Sequence, residues 1–475
     1  MKPLDELTFT PAWRIAELIR NQEISTVEMT EHFLARIEEL NPKLNAYITV
    51  CPEQALASAR AAEKAILENE EIGPLHGVPI SIKDLNPTRG IRTTRGSLIY
   101  KDWIPDEDDM MSERVRLAGA VILGKTNTPE FGARGTTENY LGDACRNPWN
   151  TERTAGGSSG GAAAALAAGL CSIATGSDAG GSIRIPGSFC GVYGIRPSQG
   201  RVPRLYSGIG GWTPFSQNGP IAHTVRDAAI LLQVMAGPDP RDPTCLQGTP
   251  PNFEQATFNA DVKGMRIAWS PDLGYAPVDP DVRKTCEQSA HLFAQFGANV
   301  EEANPPIEGD KALNIFRTMW HADHSAEFGH LLDSSAHLLT DYFRIGLEMG
   351  VRVQGRHLAQ ALRDREWHRA KLDNFFRSYD LLLTPSTAVT AFPIEQFPSI
   401  IGERQVDPGW GFSPFTYPFN ISGQPAATVP CGFSSQGLPI GFQIVGRRGE
   451  ETTVLRASAA FESAKPWQNR HPPIS

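Results

Sequence analysis

Apolar positions along the chain recur in two rhythms. Near the start they fall three and four residues apart, the spacing of helices that bury one face. Thr10-Pro11 reads as an N-cap followed by proline at the first helical position, and Ser25-Thr-Val-Glu28 as a capping box opening a helix to about Leu40. A third helix is predicted over residues 52–69. Together they form an N-terminal helical layer whose apolar faces must rest on the main body or on a second protomer. From Gly77 onward, short apolar runs alternate with helical stretches. Strands are predicted over 78–82, 121–124 and 171–175, with helices near 112–117 and 162–170. Residues 265–269, 381–385 and 441–445 read as later strands, and the span from about 279 to 379 is mostly helical in pattern. Prolines and polar residues over 237–264 suggest a surface crossing. The alternation predicts an α/β fold around a largely buried sheet.

That rhythm breaks at residues 154–186. Thr154-Ala-Gly-Gly-Ser-Ser-Gly-Gly and Gly176-Ser-Asp-Ala-Gly-Gly-Ser-Ile-Arg-Ile-Pro186 are two glycine-flanked serine loops within one short span. Such turns suit a site built from main chain and hydroxyls. A flexible linker has similar composition, but linkers do not sit between a packed helix and a buried strand. A phosphate-binding loop needs a lysine after its last glycine, where Ala162 stands. The Gly-x-Ser-x-Gly elbow is not met at Ser182. A serine nucleophile needs a base, and no histidine lies near either loop in sequence. Upstream, Gly77-Val-Pro-Ile-Ser-Ile-Lys83-Asp84 puts a lysine at the end of an apolar run. Desolvated, it could act as a base; taken alone, it is equally a solvated strand-end lysine.

Together these pieces resemble the amidase signature family. The likeness continues through Arg146-Asn-Pro-Trp149, Gly191-Val-Tyr-Gly-Ile-Arg-Pro-Ser198, Gly200-Arg-Val202 and Gly219-Pro-Ile-Ala-His-Thr-Val-Arg-Asp-Ala228, and returns at Phe415-Thr-Tyr-Pro-Phe-Asn420 and Gly423-Gln-Pro425. It implies an α/β fold with a central mixed β-sheet covered by helices on both faces. One amidase signature domain would span 1–475, with the helical layer at 1–70, the signature core at 71–235, and a variable helical region plus the rest of the core at 236–475. The family's triad falls on Lys83, Ser158 and Ser182. Ser182 would be the nucleophile, with the Gly157–Ser158 bond cis and backbone N–H groups of Ala179, Gly180, Gly181 and Ser182 facing the oxyanion. Asp178 and Arg184 would orient the loops. Ser177 and Ala179 depart from the larger residues common in relatives, which puts local packing rather than reaction class in question. The implied activity is cleavage of the C–N bond of small or aryl amides, with esters and carbamates sharing the acyl-transfer steps.

Two stretches rich in glycine and aromatics, 131–140 and 201–215, read as loops bordering the site. They make Tyr140, Arg201, Trp212 and Phe215 candidate substrate contacts, although Trp212 and Phe215 could equally pack beneath their loop. Phe316, Trp320, Phe328 and Tyr342 are candidate channel walls, with ordinary core packing as the alternative. The resemblance implies no metal and no cofactor. His321-Ala-Asp-His324 lacks the His-Glu-x-x-His spacing of a helical zinc site.

Composition narrows the rest. The 475 residues carry 44 Lys+Arg against 53 Asp+Glu, a formal net charge of −9, with no basic cluster to meet phosphates. Nucleic acid is therefore not an expected partner, and neither is a membrane. The start lacks an apolar signal core, so a cytoplasmic location is expected, with a homodimer left open. Seven cysteines without a Cys-x-x-Cys pair indicate neither a disulfide framework nor a zinc knuckle. Cys190, just past Ser182, has no charged group beside it in sequence to activate it. Two alternatives remain. One is the glutamine-amidase component of glutamyl-tRNA amidotransferase, although Gly194-Ile-Arg-Pro-Ser-Gln-Gly-Arg-Val-Pro203 replaces the wording usual there. The other is a catalytically inactive binding or assembly relative.

Overall fold

The computed structural model describes residues 4–204 and 215–474. Eleven strands form one mixed sheet: β1 (Tyr47–Val50), β2 (Pro79–Lys83), β3 (Val121–Thr126), β4 (Ile173–Asp178), β5 (Tyr193–Arg196), β6 (Gln217–Ala222), β7 (Arg266–Trp269), β8 (Asn299–Glu302), β9 (Leu381–Pro385), β10 (Ala426–Phe433) and β11 (Pro439–Gly446). Their order across the sheet is β1-β3-β2-β4-β6-β5-β10-β11-β9-β7-β8. The β3-β2-β4 stretch is parallel, as is β9-β7-β8, and the remaining pairings are antiparallel. Helices cover the sheet, as the alternation of short apolar runs and helical stretches requires.

Side chains alternate across a strand, and that period explains where the chemistry lies. Ile80 and Ile82 of β2 enter the same apolar core as Ile122 and Ile173. Ser81 and Lys83 consequently face the other way, toward the helix Gly160–Ala167 that follows the first serine loop. β2 and β4 run parallel, so Lys83 and Asp178 both end their strands at the same edge of the sheet.

The N-terminal helices rest on the body. Ile15, Phe33 and Leu40 share a buried cluster with Leu123 of β3 and with Leu166. Ser25 caps the second helix by accepting the Glu28 N–H at 3.1 Å, and the helix runs on to Leu44 before Asn45 ends it with a left-handed backbone. At the first helix the expectation shifts by one residue: Pro11 itself is the cap, its carbonyl accepting the Arg14 and Ile15 N–H groups.

Five strands differ from the sequence reading. β1, β5, β6, β8 and β10 carry no clear apolar alternation; β6 is Gln217-Asn-Gly-Pro-Ile-Ala222, a poor strand by propensity that is buried along its whole length between β4 and β5. Its ladder comes from tertiary pairing, which overrides weak local preference. The span 237–264 is more than a surface crossing, because it holds the short helix Phe253–Phe258 with Phe253 fully buried.

Candidate active site

Lys83 is fully buried. Its Nζ lies 2.7 Å from Ser158 Oγ, 2.9 Å from Ser159 Oγ and 3.0 Å from Ser177 Oγ, with the Ser177 carbonyl at 3.5 Å. Burial drives its pKa well below the ordinary lysine value; Asp178 opposes that shift and Arg204 adds to it. The amine is thus poised toward its neutral form, and its contacts are hydroxyls able both to donate and to accept.

Ser158 follows a cis peptide bond from Gly157. A Cβ on Gly157 would lie 2.4 Å from the Thr136 carbonyl oxygen, so the loop passes its neighbour at a distance only glycine permits. The Ser159 N–H donates to the Ser182 carbonyl at 3.1 Å, which ties the first serine loop to the second.

Asp178 organises the second loop. Its carboxylate accepts from the N–H groups of Gly181 at 2.8 Å and Ile183 at 3.1 Å, and pairs with the Arg184 guanidinium at 2.9 Å and 3.0 Å. Burial pushes this carboxyl up, but Arg184, Arg196 and the Asn420 amide outweigh it and hold it well below the usual carboxylate range. Arg184 also donates to Thr416 O, Gln443 Oε1 and Asn420 Oδ1, and Asn420 Nδ2 donates to Asp178 Oδ1 at 2.7 Å. The ion pair is fully buried, and these extra bonds fill the hydrogen-bonding capacity that burial would leave empty. Gly181 has φ +129°, and a Cβ there would meet Thr416 Oγ1 at 2.6 Å. Because its N–H already serves Asp178, Gly181 is engaged rather than turned to an oxyanion, which narrows the expected donors to Ala179, Gly180 and Ser182.

A cavity of about 190 Å³ opens beside these loops, lined by Ser158, Ser177 and Ala179 on one side and by Trp103, Phe131 and Trp320 among its walls. The expected substrate contacts lie elsewhere. Tyr140 is half-exposed at 51% and away from the cavity. Arg201 is buried in an ion pair with Glu451 at 2.9 Å, tying its loop to the C-terminal helix Glu451–Ala464. Phe215 is fully buried with its ring 5.5 Å from Phe316, so it packs beneath the loop. Trp212 lies outside the described residues. Of the four aromatics considered as channel walls, Trp320 reaches the cavity, whereas Phe316, Phe328 and Tyr342 pack behind it. Sequence reasoning missed Ser159, Asn420, Gln443 and the wall residues Trp103 and Arg95. Asn420 alone had a signal, since it ends the motif Phe415-Thr-Tyr-Pro-Phe-Asn420.

His324 Nδ1 bonds to the Trp320 carbonyl at 2.9 Å while the two rings stack, which gives this histidine a packing role. Among the described residues no group of three or more His, Cys, Asp or Glu could hold a metal ion. All seven cysteines are buried and free, and burial raises the Cys190 thiol far above its usual value. No described helix is long and apolar enough to cross a membrane.

Comparison with known proteins agrees with this geometry. The amidase family model matches residues 28–455. An acylamidase of Rhodococcus erythropolis is 37% identical over 476 residues, covering 98% of both chains. The amidase-family component of the glutamyl-tRNA(Gln) amidotransferase of Geobacter metallireducens is 36% identical over 479 residues, covering 95% of this chain and 96% of its own. A bacterial aryl acylamidase of known structure superposes with a TM-score of 0.90 at 32% identity, covering 97% of each chain.

The buried ion pair generates a stability prediction. Arg184→Met strands the Asp178 carboxylate and should cost about 3–5 kcal/mol in urea unfolding. Adding Asp178→Asn should recover part of that loss, since no unpaired charge remains. A single-variant loss under about 1 kcal/mol would show that the pair does not hold the loop.

Proposed function

Because the chain belongs to the amidase signature family and is thereby a hydrolase of C–N bonds in linear amides, we propose that it works through an acyl-enzyme on Ser182, with Ser158 and Lys83 as its proton relay. The observation that carries this reading is the dry Lys83 amine held 2.7 Å from Ser158 Oγ. Neutral Lys83 takes a proton from Ser158, Ser158 takes one from Ser182, and the freed Ser182 oxygen attacks the amide carbonyl carbon. As the tetrahedral intermediate collapses, the proton returns along the same path to the leaving nitrogen, without which an amine departs poorly. Water then enters the emptied leaving-group side, and the same relay deprotonates it to release the acid. N–H donors of the 179–182 loop meet the negative charge on the former carbonyl oxygen, where loss of one donor costs about 3 kcal/mol in a known protease.

For substrate we propose small or aryl amides, with esters and carbamates admitted by the shared acyl-transfer steps. Trp103, Phe131 and Trp320 give the cavity flat apolar walls, and an acylamidase and an aryl acylamidase are among the relatives. A second reading, the glutamine-amidase component of a tRNA-dependent amidotransferase, rests on the 36% identity to such a protein.

Three measurements test these assignments. A fluorophosphonate should label one peptide, the one containing Ser182; labelling at Ser158 or Cys190 with Ser182 untouched defeats the nucleophile assignment. Activity on an anilide should fall as pH drops through the depressed pKa of Lys83, because protonation removes the base, and should level off below the ordinary lysine value of about 10.4. Lys83→Ala should lose 100-fold or more on anilides, on the order expected for general acid–base catalysis, and less on nitrophenyl esters, whose leaving groups need no proton; equal losses on both would count against the relay. Finally, kcat/KM should rank acetanilide and an N-aryl carbamate above acetamide. A preference for acetamide would end the aryl assignment, and turnover confined to glutamine in the presence of amidotransferase partners would favour the second reading.

A further inference from the structure

Arg95 is a cation that the chemistry above leaves unused. Its side chain is 1% exposed, and Nε, Nη1 and Nη2 are all buried without a hydrogen-bond partner among the described residues. The rings of Tyr100 and Trp103 each lie 4.9 Å from its guanidinium carbon, which steadies the charge but satisfies none of its N–H donors. The acids that influence it are occupied or distant. The Asp84 carboxylate accepts from Thr94 N and Oγ1, and Asp109 accepts from Asn86 Nδ2 and Ser112 N. Glu327 acts on it only through its field.

This guanidinium lines the same cavity as Ser158. The Arg95 N–H donates to the carbonyl of Asp84, the residue after Lys83, at 3.1 Å, and its own carbonyl accepts the Phe131 N–H at 2.9 Å. Next along, a Cβ placed on Gly132 would lie 3.4 Å from Ser158 Oγ. The cation therefore stands on the backbone that frames the serine, at the aromatic wall of Trp103 and Phe131. Arg95 also holds a left-handed backbone with φ 56°, a conformation that argues for a specific demand on the side chain.

A dry guanidinium with every donor unmet is costly, and a planar carboxylate is the group that meets two of those donors at once. We propose that Arg95 is the docking residue for a carboxylate carried by the amide substrate away from the scissile bond, so that acid-bearing amides are the preferred substrate class. This rests on the amide-hydrolase reading of the same cavity. Asp106 and Glu107 also line the cavity, but they are exposed and screened by solvent, so they oppose the approach of an anion without cancelling a buried cation.

The test has one arm that needs no turnover. Benzoate and succinate should bind the wild-type protein more tightly than benzamide and succinamide, read by tryptophan fluorescence and by a rise in Tm. In the second arm, kcat/KM is measured for 4-acetamidobenzoate against acetanilide, and for succinanilate against butyranilide. At least one acid-bearing member should exceed its neutral counterpart, and Arg95→Met should lower that ratio by about 10- to 100-fold, the range for a hydrogen bond to a charged group. Arg95→Lys should keep part of it, and this variant with the wild-type binding arm decides the matter if Arg95→Met does not fold. Binding of acids without hydrolysis of any amide would support the Arg95 site and defeat the hydrolase reading. Hydrolysis of neutral anilides, with acids bound no better than amides and ratios indifferent to Arg95, would overturn the proposal.

Discussion

Taking the Lys83 amine out of water penalises its charged form, and the three hydroxyls around it replace part of the hydration it loses. Much of the central architecture keeps that position dry. The two-residue period of β2 sends Ile80 and Ile82 into one core and turns Lys83 toward the other face. The alanine-rich helix Gly160–Ala167, buried at every residue, closes over that face because small side chains let it approach the sheet. A bulkier helix would stand off and admit solvent, restoring the ordinary lysine pKa.

Dryness at the base demands order around it, since loops buried this deeply must satisfy their polar groups internally. The Asp178–Arg184 pair supplies that order by recruiting partners from the far end of the chain: Asn420 reaches Asp178 across 242 residues, and Gln443 meets Arg184 across 259. β10 and β11 are inserted beside β5 in the sheet, which brings the C-terminal segment over the central loop. The site is therefore completed only when the last third of the chain has folded onto the first half.

Local features of the site were legible in the sequence, and remote ones were not. Lys83, Ser158 and Ser182 sit in short runs whose glycines and apolar neighbours are informative on their own, and Asp178 and Arg184 lie inside one of those runs. The long helices and the strands β2, β3, β7, β9 and β11 announced themselves by period and apolar content. β5 and β6, rich in glycine, proline and polar residues, gave no such pattern because long-range pairing makes them strands. The substrate contacts fared worst. Arg201 and Tyr140 lie in glycine- and aromatic-bearing stretches, yet one serves an ion pair and the other faces solvent, because side-chain direction is set by the tertiary path. Arg95 sits in Thr93-Thr-Arg-Gly-Ser97, where nothing in the local pattern says that a charged side chain will be sealed inside.

A second buried lysine shows why burial alone does not make a base. Lys125 pairs in register with Ile82, so it lies on the opposite face of the sheet from Lys83, and burial lowers its pKa to about 8 against the opposing pull of Asp84. Its Nζ bonds to the Asn86 carbonyl and to the hydroxyls of Thr88 and Thr93. A carbonyl oxygen only accepts, so that close contact favours the donor-rich ammonium. The three nearest partners of Lys83 are hydroxyls, which can turn a proton toward a neutral amine and receive one from it. Two lysines on neighbouring strands thus share a dry environment, and the kind of oxygen that meets each one separates a structural cation from a group able to move protons.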